Sequence, residues 1–291
     1  MNNKYLLSHK SEDPEKNSLY IVGTPIGNLN DISFRALHIF KNVSLIACED
    51  TRQTIKIMNK FEFKNNLISF NKHNSKKKIP KMISDLNLGK SIALVSDAGM
   101  PSICDPGEDL IKEARLNGIN VICIPGPCAP ITALVSSGLP SSKFIFEGFL
   151  PKKNSEREKI LSEIGTNDKT TILFESPQRL KNLLFQLKEI CGGEREIIVS
   201  RELTKKYEEN IGNNIEEVIS YFEKREVLGE ITLVIKGINK VKQNYFNPLQ
   251  LKKDLDELRK AGLNLSAASK YLAKKNNLKK SIIYDLYKKN V

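Results

Sequence analysis

The chain has 291 residues, about twice a common domain length of ~150, so it can build two cores without disulfide staples. A 40% AVILMFWYC content, 27% charged residues, Gly 16 and Pro 12 exclude collagen-like and low-complexity chains. The net charge is +12, and residues 241–291 hold twelve Lys/Arg against four Asp/Glu, which suits either a polyanionic partner such as RNA, DNA or ribosome, or a solvated lysine surface.

Residues 1–17 read as a polar arm whose only apolar run is Tyr5-Leu6-Leu7, too short for a secretory core, so a cytoplasmic protein is expected. A strand over 19–22 is followed by Gly23-Thr24-Pro25-Ile26-Gly27-Asn28-Leu29 and a helix from Asp31, with Ile32, Ala36, Leu37 and Phe40 as its apolar stripe. That loop lacks GxGxxG, which disfavours a dinucleotide. The strand over 45–47 runs into Cys48-Glu49-Asp50-Thr51-Arg52, where Asp50 or Thr51 can cap the next helix while the remaining charges stay unexplained.

After a strand at 67–69, Lys72, His73, Asn74, Lys76, Lys77 and Lys78 form a basic loop ahead of a helix at Ile79, with Phe70 offering a stacking ring if exposed. The strand at 92–95 leads into Ser96-Asp97-Ala98-Gly99-Met100-Pro101-Ser102. Asp105-Pro106-Gly107-Glu108 then reads as a capping box for a helix with Leu110, Ile111 and Ala114 inward. A strand at 121–124 ends in the elbow Pro125-Gly126-Pro127-Cys128-Ala129-Pro130 and a small uncharged helix over 131–137. Residues 116–142 carry no charge, yet four prolines and three glycines rule out a membrane span. One further strand is expected at 144–146.

A boundary near residue 150 divides an α/β domain at 18–150 from a smaller one at 151–240, with strands at 170–174, 197–200 and 230–235 and helices at 157–164 and 177–190. The basic tail, 241–291, reads as three helices. Asn247-Pro248 opens the first, Leu251, Leu255 and Leu258 line it, and Gly262 ends it; 266–275 and 278–289 follow, the last with Ile282, Ile283 and Leu286 inward. Such a tail is either a nucleic-acid module or a packed appendage.

Alternating strands and helices give an α/β fold with a mainly parallel sheet, whose ligands bind beyond the carboxyl ends of the strands. His9, His38 and His73 are scattered, the five cysteines form no CxxC, and no P-loop or GxSxG occurs, so metal, nucleotide-hydrolysis and serine-hydrolase chemistry are disfavoured.

The ordered series GTPIGNLND, ACEDTR, SFNKHN, SDAGMPSICDPG, PGPCAPITALVSSGLP, FIFEGFLP, FESPQR, RELTKKYEE and GEITLV resembles the ribosomal RNA small-subunit methyltransferase I family of the tetrapyrrole-methylase superfamily, over about residues 19–237. Cys128 and Gln178 depart from it, standing where Ser and His are expected. The resemblance implies a two-domain fold with the cofactor in the cleft between domains. It also implies S-adenosylmethionine-dependent 2′-O-methylation of a cytidine in the decoding region of 16S rRNA or the small subunit, by a cytosolic homodimer.

Methyl transfer from a sulfonium needs a shielded pocket and an in-line nucleophile. Pro25, Asp97, Ala98, Gly99, Met100, Pro101, Pro125, Gly126, Thr132, Ala133 and Ser137 can supply that pocket, closed by Glu147, Gly148, Gly229 and Glu230. A ribose hydroxyl must lose its proton, so Glu49, Asp50, Glu175 and Glu202 are candidate bases, with Arg52, Arg179, Arg201 and Lys205 as phosphate or oxyanion partners. RNA contact falls to Lys72, His73, Asn74, Lys76, Lys77, Arg179 and Arg201. Two alternatives stay open: C-methylation of a tetrapyrrole polycarboxylate, and a non-enzymatic basic RNA- or DNA-binding role.

Overall fold

The computed structural model describes residues 13–238, 248–275, 280, 281, 283 and 284. They fall into two compact units, divided after Ile238.

The first unit holds two five-stranded sheets. Strands β1 (Ser18–Val22), β2 (Leu45–Cys48), β3 (Leu67–Ser69), β4 (Ser91–Val95) and β5 (Asn120–Ile124) are all parallel, in the order β3-β2-β4-β1-β5. β1 and β4 are buried throughout, because helices cover both faces and alternate side chains point to opposite sides. Tyr20, Val22, Ile46, Ala93 and Val95 meet Ala36, Ile39 and Phe40 of α1 (Phe34–Asn42). Leu19, Ile21, Ala47, Ile92 and Leu94 meet Met82 and Leu86 of α3 (Ser75–Asn87) and Leu110 of α4 (Glu108–Leu116). Between β2 and β3 lies α2 (Thr51–Lys60).

The second sheet joins β6 (Phe144–Phe149), β7 (Thr170–Glu175), β8 (Ile197–Arg201), β9 (Glu209–Ile211) and β10 (Ile231–Ile235) in the order β6-β7-β10-β8-β9. Only β6 and β7 are parallel. One face packs on α6 (Asn154–Thr166), α7 (Pro177–Cys191) and α8 (Ile215–Glu223) through Leu161, Leu180, Leu187, Val218 and Phe222. On the other face Ile172 and Val234 receive Ala133 and Leu134 of α5 (Ala129–Ser137), together with Ile26 and Leu203. The helix that leaves the first sheet therefore closes the core of the second.

Several boundaries differ from the sequence reading. The helix expected from Asp31 is a 3-10 turn, Leu29–Asp31; α1 starts three residues later because the Ser33 hydroxyl accepts the Ala36 N–H at 3.0 Å. The Asp105 capping box does not form: α4 begins at Glu108 behind Gly107, leaving Asp105 in the loop. α3 starts at Ser75, so Lys76, Lys77 and Lys78 stand on its first turns rather than in a loop. β6 pairs with β7, so the change of sheet precedes residue 144 instead of falling near 150. β9 and α8 had no counterpart in the expected elements.

The second unit contains α9 (Pro248–Lys260) and α10 (Leu265–Lys275), which bury Leu251, Leu255, Ala268, Leu272 and Ala273 with Ile283. Gly262, at φ +94°, makes the turn, and Asn264 caps α10 by accepting the Ala267 N–H at 2.9 Å. Asn247, Ile282, Leu286 and most of the expected third helix lie outside the described residues, as do residues 1–12 of the arm.

Candidate functional site

Three loops at the carboxyl end of the first sheet are fastened by backbone contacts. Gly23 N donates to Ile124 O at 3.1 Å, and Thr24 and Gly99 exchange bonds of 2.9 and 3.1 Å. The loops after β1 and β5 approach so closely that a Cβ on Gly126 would lie 2.8 Å from the Gly23 Cα. No side chain fits there, which accounts for both glycines. Further along the β4 loop, Ser102 and Cys104 adopt left-handed φ of 70° and 66°, the strained backbone that clusters at ligand clamps.

An apolar cleft of about 380 Å³ opens between these loops and the strand ends of the second sheet. Ile26, Ala98, Gly99, Met100 and Ile103 form one wall with Cys104 and Asp105, and Cys128, Ala129 and Pro130 add the start of α5. Phe149, Phe174, Ser176 and the stretch Gly229, Glu230, Ile231 and Thr232 form the other. The walls nearly touch at Gly148, whose Cβ would stand 2.8 Å from Cys104 Sγ. They are bonded at Asn28 N, which donates to Thr204 Oγ1 at 3.0 Å.

Of the expected cofactor residues, Ala98, Gly99, Met100, Gly229 and Glu230 line this cleft. Pro25 and Pro101 are buried, Pro125 and Gly126 form the elbow against Gly23, and Glu147 is the residue bulged out between Phe146 and Gly148. Three others point elsewhere. The Thr132 hydroxyl donates to Cys128 O at 3.0 Å, the Ser137 hydroxyl to Leu134 O at 2.8 Å, and Ala133 is core between α5 and the second sheet. Sequence reading missed Ile26, Ile103, Cys104, Asp105, Phe149, Phe174, Ser176 and Thr232. The apolar residues gave no signal that separates a wall from a core, and Asp105 was hidden by its helix-cap pattern.

A second, polar pocket of about 410 Å³ is lined by Glu49, Asp50, Thr51, Arg52, Ser69, Asn71, Lys72 and His73. Glu49 and Asp97 hold one another's loops: the Asp97 N–H bonds to the Glu49 carboxylate, and the Asp50 N–H donates to Asp97 Oδ1 at 2.9 Å. Lys72 Nζ donates to Cys104 O at 3.3 Å, which joins the polar pocket to the apolar cleft. Burial and then the neighbouring Asp105 and Asp97 push the Glu49 carboxyl up. Burial likewise raises Asp97 and Asp105. Asp50 goes the opposite way, because its bond to Arg52 holds it down; it caps α2 and pairs with Arg52 at 2.6 Å.

The remaining candidates are committed to their own partners. The Glu175 carboxylate is buried between Arg179 at 2.6 Å and Arg157 at 3.5 Å, on the floor of the cleft. Arg179 keeps a side chain 30% exposed beside that pair, and Arg201 is paired to Glu209 at 2.9 Å. Glu202 accepts Lys205 at 2.9 Å and the Glu230 N–H at 2.9 Å. Burial, the largest influence on Glu202, acts upward, yet those two donors bring it below its ordinary value. Phe70 is 1% exposed beneath α3 and cannot stack on a base. Asn74 turns inward, accepting the Asn71 N–H at 2.9 Å, whereas Lys72, His73, Lys76 and Lys77 are exposed. Among the described residues no group of His, Cys, Asp and Glu is placed to hold a metal ion.

The chain matches the tetrapyrrole (corrin/porphyrin) methylase family over residues 18–219. It is 48% identical to the ribosomal RNA small subunit methyltransferase I of Thermotoga maritima over 219 residues, covering 75% of this chain and 98% of that protein. The Bacillus subtilis protein of that name is 41% identical over 273 residues, 92% of this chain and 93% of its own length. The chain belongs to the ribosomal RNA small subunit methyltransferase I family. Within the wider fold, cobalt precorrin-4 methyltransferase superposes with a TM-score of 0.57 at 13% identity, over 76% of this chain and 95% of that one. A Thermus thermophilus uroporphyrin-III C-methyltransferase, solved with S-adenosylhomocysteine, gives 0.53 at 14%, over 75% and 97%.

Proposed function

We propose that the chain methylates a ribose 2′-hydroxyl of a cytidine in 16S rRNA, using S-adenosylmethionine, with Glu49 as the general base. The observation that carries this reading is the Lys72–Cys104 junction, where an apolar cleft sized for a cofactor opens beside a polar pocket containing one carboxylate of raised pKa.

The cleft fits the cofactor on its own terms. Its volume lies within the roughly 300–1,000 Å³ usual for small-ligand sites, and its surface is apolar with a few convergent polar groups. Ile26, Met100, Phe149 and Ile231 would cover the adenosine, with the backbone around Gly99 and Glu230 at its polar ends. When bound, the cofactor supplies an electrophilic methyl group on a sulfonium.

The chain's own residues do the rest. Lys72, His73 and Arg52 hold the acceptor's phosphates at the mouth of the polar pocket, and Glu49 takes the 2′-hydroxyl proton as that oxygen attacks. A carboxyl raised by burial is a better proton acceptor than an ordinary one, whereas Asp50, held down by Arg52, is a worse one.

The proposal extends to the assembly and setting: a cytoplasmic homodimer acting on 16S rRNA or the small ribosomal subunit. Exposed Ile131 and Val135 on α5 offer apolar surface for a second copy. No helix among the described residues is long and apolar enough to cross a membrane. The shared fold also suits tetrapyrrole C-methylation, but the identities of 48% and 41% are to proteins named for ribosomal RNA. The test is Glu49→Gln, which should lower kcat for methyl transfer to small ribosomal subunits by about 10²–10⁴ with little change in cofactor affinity. An unchanged kcat would remove Glu49 from the reaction.

A further inference from the structure

A third cavity, of about 620 Å³, lies between β3, an edge strand of the first sheet, and α3. Four lysines, Lys77, Lys78, Lys81 and Lys90, line it against one carboxylate, Asp85. Lys90 is paired to Asp85 at 2.9 Å, and Lys78 Nζ donates to Ser69 O at 2.5 Å. Lys77 and Lys81 have no carboxylate partner among the described residues, and they stand four apart on one helix, hence on one face.

Helix stability does not explain this charge. Lys76, Lys77 and Lys78 occupy the first turns of α3, which contain no acidic residue. The amino end of a helix is its positive pole, so each cation there is unfavourable. Lysines gathered against the dipole fit an anion that both attract. The cavity is also more than a phosphate cradle, since Leu45, Ile68 and Met82 give it an apolar floor, with Asn66 beside them. Phosphodiester charge together with a flat base satisfies both halves. Ser69 lines the polar pocket and accepts the Lys78 bond, so the two cavities adjoin.

We propose that this cavity seats the RNA segment flanking the target nucleotide, with Lys77 and Lys81 on its phosphates and a base over Leu45 and Ile68. This rests on the reading of the neighbouring pocket as an RNA methyltransferase site. The test compares wild type, K77Q/K81Q and the charge-matched control K159Q/K224Q, whose two lysines are exposed on α6 and just after α8. Binding to 16S rRNA is measured across a salt series, alongside binding of S-adenosylhomocysteine.

K77Q/K81Q should weaken RNA binding about tenfold and flatten the slope of log K against log salt by roughly 1.4, about 0.7 per phosphate contact on a single strand. The cofactor product should bind as before, which shows an intact fold, and K159Q/K224Q should follow wild type. A wild-type slope in K77Q/K81Q, with wild type still methylating RNA, would overturn this inference and leave the methyltransferase reading standing. If wild type itself neither binds nor methylates RNA, that reading falls and takes the cavity's assignment with it.

Discussion

Glu49 and Asp50 are neighbours in sequence and opposites in chemistry. The Asp50 carboxylate faces Arg52 and the start of α2, whereas Glu49 faces Asp97, Asp105 and Lys72 in a partly buried pocket. A raised Glu49 pKa makes a two-part prediction. Activity should rise with pH through a limb above the ordinary carboxylate range, and Glu49→Gln should lose that limb along with the rate. For stability the sign is reversed. A carboxyl whose folded pKa exceeds its unfolded value favours the fold at low pH and opposes it once ionised, so the loss occurs as pH rises between the two values. Glu49→Gln should therefore raise Tm at pH 7 while lowering kcat; a lower Tm at pH 7 would contradict the burial account. The cluster at residues 48–52 was visible in the sequence as more charge than a cap requires. Which of its carboxyls is pushed up was not, because that depends on Asp97 and Asp105, which approach from the loop after β4.

At the level of elements, the cleft depends on loops that meet without side chains between them. Gly126→Ala would drive a methyl group into the Gly23 backbone, which cannot rotate aside as a side chain can. Calorimetry should show cofactor binding weakened by at least tenfold, and wild-type affinity would mean that the loops have slack. The floor of the cleft makes a second demand. Glu175 is held by Arg157 and Arg179, while Arg157 Nη2 and Glu175 Oε2 lack a hydrogen-bond partner among the described residues. Removing one member of a buried ionic group usually costs about 3–5 kcal/mol. Arg157→Ala should lose stability of that order in denaturant unfolding, and a loss below about 1 kcal/mol would show the group to be dispensable. The parallel strands of the first sheet were legible because each is a short apolar run ending in a polar loop. β6 was misplaced because Phe144-Ile145-Phe146 looks the same in either sheet, and only pairing with β7 decides. β9 has little signal because it is three residues on a sheet edge, whereas α8 carries a legible one: Ile215, Val218, Ile219 and Phe222 recur at helical spacing behind the Asn214 cap.

Across the whole molecule, charge and compactness divide the labour. The unit ending at Ile238 contains both the apolar cleft and the polar pocket proposed for methyl transfer, and the tail beyond it carries twelve Lys/Arg against four Asp/Glu in residues 241–291. A chain truncated after Ile238 should keep its affinity for S-adenosylhomocysteine and lose RNA affinity, most strongly at low salt, where a long-range charge acts. Equal RNA binding at every salt concentration would make the tail an appendage. The most direct test of RNA ribose methylation supplies labelled S-adenosylmethionine with small ribosomal subunits, naked 16S rRNA or a tetrapyrrole precursor, then maps the label. Label is expected on the 2′-oxygen of one cytidine in the RNA, and its loss is expected in Glu49→Gln. Label on the tetrapyrrole alone would contradict RNA ribose methylation.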